Sequence, residues 1–232
     1  MAERYELPPE RLGRWLDRWA DAHGGMTEGS GASVTSGPEV TNGSGASVTS
    51  GAGGPGGVVR LVAADGAWVE CEPPFPPVAG DLLAHVARER TVGVLLVRLG
   101  GHAAGVFAGR RLVEAKVGTR LVHGRHRTGG SSSGRFARRR EGQARVALRA
   151  AADVAVRVLR GPAEAGRLDA VVLGGDRGAV TAVLADPRLA AVRALAGARV
   201  FDVPDPRRAV LEAMPDRFLA TVVRPGGQDG TP

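Results

Sequence analysis

Apolar positions along the 232-residue chain change period several times, and each change predicts an element. Over residues 8–23, "PPERLGRWLDRWADAH", Leu12, Trp15, Leu16 and Trp19 recur at helical spacing behind Pro8 and Pro9, which suit a helix start. The tryptophan stripe predicts a face docked onto a core rather than a ligand site. "GVVRLVAADGAWVECEPP" holds two strand-like runs around Asp65-Gly66, a hairpin signal. "DLLAHVAR" predicts a short helix. "TVGVLLVRL", "HAAGVFA" and "RLVEAKV" alternate with the turns Gly100-Gly101 and Gly109-Arg110 and predict an antiparallel meander. A long helix follows over about 135–160, its apolar stripe made of Ala144, Ala147, Leu148, Ala151, Val154, Ala155, Val158 and Leu159, with Arg138, Arg145 and Arg149 on other faces. "LDAVVLGG" reads as a buried strand followed by a helix from about Asp176, and "ARVFDV" as another strand. Asp205-Pro206 predicts the cap and first turn of the next helix, and "FLATVVRP" a strand that closes the sheet. The expected class is α/β, a mixed sheet with an antiparallel meander first and flanking helical crossovers later.

One stretch has no such period. "GSGASVTSG" occurs at 29–37 and again at 43–51, and each copy offers a single valine, too little to stack as a solenoid. The composition predicts a flexible Gly/Ser-rich insertion over 24–57. The expected organisation is a helix over 1–23, the insertion, one α/β domain over 58–225 and a disordered tail over 226–232.

Charge sharpens this picture. The net charge is +7 with a pI of about 11.1, and arginine supplies all of the basic side chains but Lys116. Codon bias accounts for a preference for arginine, not for its placement. Residues 110–140 hold ten basic side chains against the single acid Glu114, a local balance of +9, while the rest of the chain sits near −2. Local basicity of this size points to an anionic partner, with nucleic acid ahead of membrane because no basic amphipathic terminus is present. Cys71 is the only cysteine, so no internal disulfide forms. The N-terminus lacks the apolar core of a signal peptide and no apolar run is long enough to span a bilayer, so the expectation is a soluble, cytoplasmic protein.

The basic segment contains the stretch that carries candidate chemistry, "VHGRHRTGGSSSGRFARRREGQ" at 122–143. A Gly-Gly pair lets backbone approach a ligand where a Cβ would collide, and the N-terminus of the following helix adds exposed amide donors. Flanking arginines that hold phosphate position such a loop without reading sequence. Three chemistries fit these letters. One is delivery of backbone groups to a reactive centre in an RNA-rich setting; another is binding of RNA without chemistry. The third is a serine hydrolase with Ser131, Ser132 or Ser133 as nucleophile and His123 or His126 as base. The third lacks a Gly-x-Ser-x-Gly elbow and an acid to orient the base. His123 and His126 sit among arginines with no nearby acid or thiolate, a poor metal set, and "GGDRGAV" at 174–180 lacks the Gly-Lys-Ser/Thr of a phosphate loop. No metal and no cofactor are expected.

"KVGTRLVHGR" at 116–125 followed by "GGSSSGRFARRREGQA" at 129–144 resembles the Vms-like release factors of actinobacteria, similar to the middle domain of eukaryotic peptide-chain release factors. In that family the stretch reads Gly-Gly-x-Ser-Gln-Gln-Arg-Phe-Ala-Arg-Arg-Arg. The resemblance implies a peptidyl-tRNA hydrolase of ribosome rescue, acting as a monomer on peptidyl-tRNA at the large ribosomal subunit, away from membranes. It assigns Gly129 and Gly130 to close approach of the ester, and Ser132 and Ser133 to the site of the attacking water. Lys116, Arg120, His123, Arg125, Arg135, Arg138, Arg139 and Arg140 would bind RNA, and Phe136 would anchor the loop in the core. Where the family carries two glutamines this chain has Ser133 and Gly134. Gln143 stands roughly 13 Å further along the expected helix, too far to replace them. Loss of such a donor costs on the order of 10²–10³ in rate.

Overall fold

The computed structural model describes residues 3–26, 57–78, 80–98, 100–119 and 133–227, with the backbone alone for 119 and 133–141; most of the predicted insertion lies outside them. The chain divides into two compact units, Met1–Arg88 with Pro215–Pro232, and Glu89–Met214.

The first unit begins with β1 (Tyr5–Leu7) and α1 (Pro9–Ala22). Pro9 opens α1, where a missing N–H costs nothing, and the apolar stripe buries Leu12, Leu16 and Trp19 as its spacing predicts. Burying a leucine of this kind contributes roughly 1.5–3 kcal/mol. They meet Leu61, Val69 and Cys71 from β2 (Val59–Val62) and β3 (Trp68–Glu72), which form the antiparallel hairpin expected around Asp65-Gly66. α2 (Leu82–Ala87) is capped by Asp81, whose carboxylate accepts from the Ala84 amide at 2.8 Å, and adds Leu82 and Val86 to the same core.

The second unit holds the predicted meander, β4 (Thr91–Arg98), β5 (Gly101–Ala108) and β6 (Arg111–Thr119). α3 (Ser133–Ala155) runs without a break into a π-helical turn, Val156–Arg160, and α4 (Gly161–Glu164). The predicted stripe is buried at Ala147, Ala151, Ala155, Val158 and Leu159; the π turn, invisible to a 3.6-residue period, carries the last two. β7 (Ala170–Gly175) pairs parallel with β4. α5 (Arg177–Leu184), a 3₁₀ turn at Pro187–Leu189, α6 (Ala190–Ala194), β8 (Ala196–Phe201) and α7 (Arg208–Glu212) follow. The strand order is β6-β5-β4-β7-β8, a mixed five-stranded sheet with an antiparallel meander on one side and parallel crossovers on the other, as predicted. Between its ends, from Val92 to Val97, β4 is buried and holds no polar side chain because both of its faces are covered.

Three expectations change. Asp205-Pro206 does not start α7, whose first residue follows Arg207 without a side-chain cap. Instead a Cβ on Gly100 would lie 3.3 Å from the Asp205 carboxylate, and one on Gly101 3.2 Å from the Pro206 carbonyl, so this pair packs over the β4–β5 turn. "FLATVVRP" does not close the five-stranded sheet. It supplies the last residue of α8 (Pro215–Phe218) and most of β9 (Thr221–Gly226), and β9 returns to the first unit between β1 and β3 in the order β1-β9-β3-β2. The segment read as one domain over 58–225 is therefore shared between two units, the first closed by the two ends of the chain.

Candidate nucleic-acid interface

β4, β7 and β8 run parallel, and β6, antiparallel to β5, points the same way. Their last residues, Arg98, Gly175, Phe201 and Thr119, thus share one edge of the sheet. β4 connects to β5 on one side and β7 to β8 on the other, so the strand order switches between β4 and β7, the place where open α/β sheets bind ligands. Here that place is filled by protein. The Arg98 guanidinium donates to the Val203 carbonyl, and the Asp176 amide donates to the Val97 carbonyl at 2.9 Å. Gly175 has φ +106°, and a Cβ there would fall 2.1 Å from the Val97 oxygen, so the turn into α5 admits only glycine. Asp176 caps α5 by accepting from the Ala179 amide at 2.7 Å.

The predicted loop joins this end of the sheet, at the last residue of β6, to the start of α3. Cross-strand partners share a face, so His102, Ala104 and Val106 of β5 stand with Gly118, Lys116 and Glu114 of β6. Ala104 and Val106 pack in the core with Ala151 and Ala155, so α3 covers that face. Lys116 is exposed on it. At Gly118 the His102 ring occupies the place of a side chain: a Cβ would lie 2.2 Å from Nε2. His102 itself is 5% exposed.

α3 starts at Ser133, yet its first buried side chain among those described is Ala147; from Gly142 to Val146 they are exposed or half-exposed. At ~1.5 Å per residue the helix runs roughly 21 Å from Ser133 to that point. The five residues before Ala147 are therefore apart from the stretch whose side chains pack on the sheet. The first four amides of such a helix have no partner within it and carry its positive dipole end.

Of the predicted site residues, Gly129, Gly130, Ser132, Arg120, His123 and Arg125 lie outside the described residues, as do Ser131 and His126. Ser133 is the first residue of α3, and Arg135, Arg138, Arg139 and Arg140 occupy its first turns. Three successive positions at about 100° each spread over about 200° of the helix circumference, so 138, 139 and 140 lie on different sides of it. Gln143 is exposed on the unbroken helix, as far from Gly134 as expected. The sequence reading missed His102, because its place opposite Gly118 follows from the pairing of β5 with β6.

Charge follows the two units. Glu89–Met214 holds 23 basic against 11 acidic residues, a balance of +12, whereas the other unit holds 8 against 13, a balance of −5. Among the described residues no group of three His, Cys, Asp or Glu could hold a metal, and no helix is long and apolar enough to cross a membrane.

A family model, the Actinobacteria/chloroflexi VLRF1 release factor, matches residues 90–224. No curated protein matches the chain. Among solved structures, the archaeal translation termination factor aRF1 is similar at 18% identity over 72% of this chain and 48% of its own, with a TM-score of 0.42. A second archaeal protein is similar at 16% identity over 66% of this chain and 47% of its own, with a TM-score of 0.37. The chain spans about half the length of these structures.

Proposed function

Because this chain belongs to the Actinobacteria/Chloroflexi VLRF1 release-factor family, we propose that it hydrolyses the ester of peptidyl-tRNA in ribosome rescue or translation quality control. One observation supports the reading above others. The family match runs through the whole +12 unit apart from its first residue, including the segment that joins β6 to α3. Peptidyl-tRNA on the large ribosomal subunit is the proposed substrate, with the protein acting as a cytoplasmic monomer.

In the reaction, water adds to the ester carbonyl and the bond to the tRNA 3′-oxygen breaks. The products are a free peptide carboxylic acid and a tRNA hydroxyl. Gly129 and Gly130 bring backbone close to the ester, where a Cβ would collide. Ser132 and Ser133 line the water site. Developing negative charge on the carbonyl oxygen is favoured by amide donors already oriented before the reaction, as at the start of a helix. Lys116, Arg120, His123, Arg125, Arg135, Arg138, Arg139 and Arg140 hold phosphate and fix the approach.

A second reading, a ribosome or tRNA binder without hydrolysis, is favoured by Ser133 and Gly134, since neither offers the side-chain amide of the family's glutamines. Release of peptide from peptidyl-tRNA on large subunits separates the two. Wild-type release that is lost in Gly130→Ala supports hydrolysis. No wild-type release, with a gain on changing Ser133 and Gly134 both to Gln, leaves a binder on an intact scaffold. Absence of release in every form refutes the hydrolytic reading.

A further inference from the structure

The basic half of α3 does not end with the arginine triplet. Arg145 follows Arg138 by seven residues and Arg149 by eleven, so positions 138, 145 and 149 share one side of the helix. Arg145 and Arg149 are exposed. Asp153, one helical turn on from Arg149, is held by another cation. Arg188 pairs with Asp153 at 2.8 Å and with Asp186 at 2.7 Å. Over 135–149 six arginines stand against the single acid Glu141.

We propose that Arg145 and Arg149 form a second RNA contact on the flank of α3, outside the candidate reaction loop, and hold backbone phosphates of a duplex segment. This rests on the RNA-binding part of the proposed function and is independent of its chemistry. From 138 to 149 the helix spans roughly 16 Å, against a phosphate every ~3.4 Å along one strand of a duplex. Phosphates therefore outnumber arginines along the stripe, and each guanidinium has a partner within reach. The contact is continuous with the loop's own basic flank, and it lies in the unit that carries the chain's positive balance.

The test measures the affinity of the full chain for deacylated tRNA over a range of salt. Each phosphate contact contributes ~0.7–0.9 to the slope of log K against log[salt]. The double variant Arg145→Ala with Arg149→Ala is expected to lower the slope by ~1.4–1.8. At 0.1 M salt the same relation gives a loss of roughly 25- to 60-fold in affinity. Arg167→Ala is the control: it removes the same charge from an exposed position just before β7, at the opposite edge of the sheet, and is expected to leave the slope unchanged. An unchanged slope in the double variant overturns the proposal. So does an equal shift per charge in the control, which would mean a diffuse field rather than a contact, and so does failure of the wild type to bind. Peptide release measured in parallel keeps the two readings apart: a lowered slope without any release leaves this contact standing while hydrolysis fails.

Discussion

Gly118→Ala adds one methyl group at the root of the candidate interface. The new Cβ would fall 2.2 Å from His102 Nε2, 2.7 Å from Cε1 and 3.0 Å from Cδ2. The first of these is more than 1 Å inside the ~3.5 Å at which nonbonded atoms attract best. His102 is 5% exposed, so the ring has little room to swing aside, and either it leaves its rotamer or the end of β6 moves off β5. Overpacking of this kind costs ~1–3 kcal/mol. For a domain of this size, about 2 kcal/mol lowers Tm by roughly 4–8 °C. All three tryptophans, Trp15, Trp19 and Trp68, lie in the other unit, so fluorescence would not follow the change and far-UV circular dichroism is the suitable probe. His102→Ala is destabilising by itself through the cavity it opens, but the two changes compensate. The double variant should exceed the sum of the single effects in stability by at least ~1 kcal/mol. Gly142→Ala, exposed in α3 with nothing within 4 Å of the added Cβ, serves as the control and should stabilise by up to ~1 kcal/mol through helix propensity. A neutral Gly118→Ala, or strict additivity with His102→Ala, would refute the close approach.

Two further outcomes follow from groups away from the interface. Hydrogen bonds from the Arg188 side chain, and then from its backbone amide, lower the Asp186 carboxyl from 3.8 to about 2. A depressed acid adds stability that is present above its unfolded pKa and is lost as pH falls through the folded one, here between ~4 and ~2. In Arg188→Ala the Asp186 carboxyl, followed by NMR, should titrate nearer 3.8, and an unchanged midpoint would show that the guanidinium is not the cause. Burial pushes the Cys71 thiol up to about 12, so the native protein should resist thiol-specific labelling at mildly alkaline pH and react fully once denatured. Rapid labelling of the native form would contradict the buried position in β3.

What local pattern determines was legible in the chain. α1 follows from four apolar positions behind two prolines, the β2–β3 hairpin from Asp65-Gly66, and the meander from three apolar runs cut by glycine turns. Each depends on forces between residues close in sequence: helical spacing, turn geometry, and a face or run that must leave water. The charge cluster was equally visible, since composition needs no fold. Tertiary structure alone decided the partners. β9 has the same apolar run whichever sheet it joins; its pairing with β1 and β3 brings Tyr5 opposite Val223 across most of the chain, and no local period encodes that choice. Asp205-Pro206 has the letters of a helix start, but packing over Gly100 and Gly101 overrides them. The imidazole of His102 over Gly118 belongs to the same class, because its cause is the distance between two strands. The catalytic reading of Gly129 and Gly130 was carried by motif, whereas the Arg145–Arg149 flank required the helix register, the exposure of both side chains and the capture of Asp153 and Asp186 by Arg188. Short-range physics writes elements into a sequence; which surfaces those elements bury, and which charges they leave facing water, is settled only when distant segments compete for the same core.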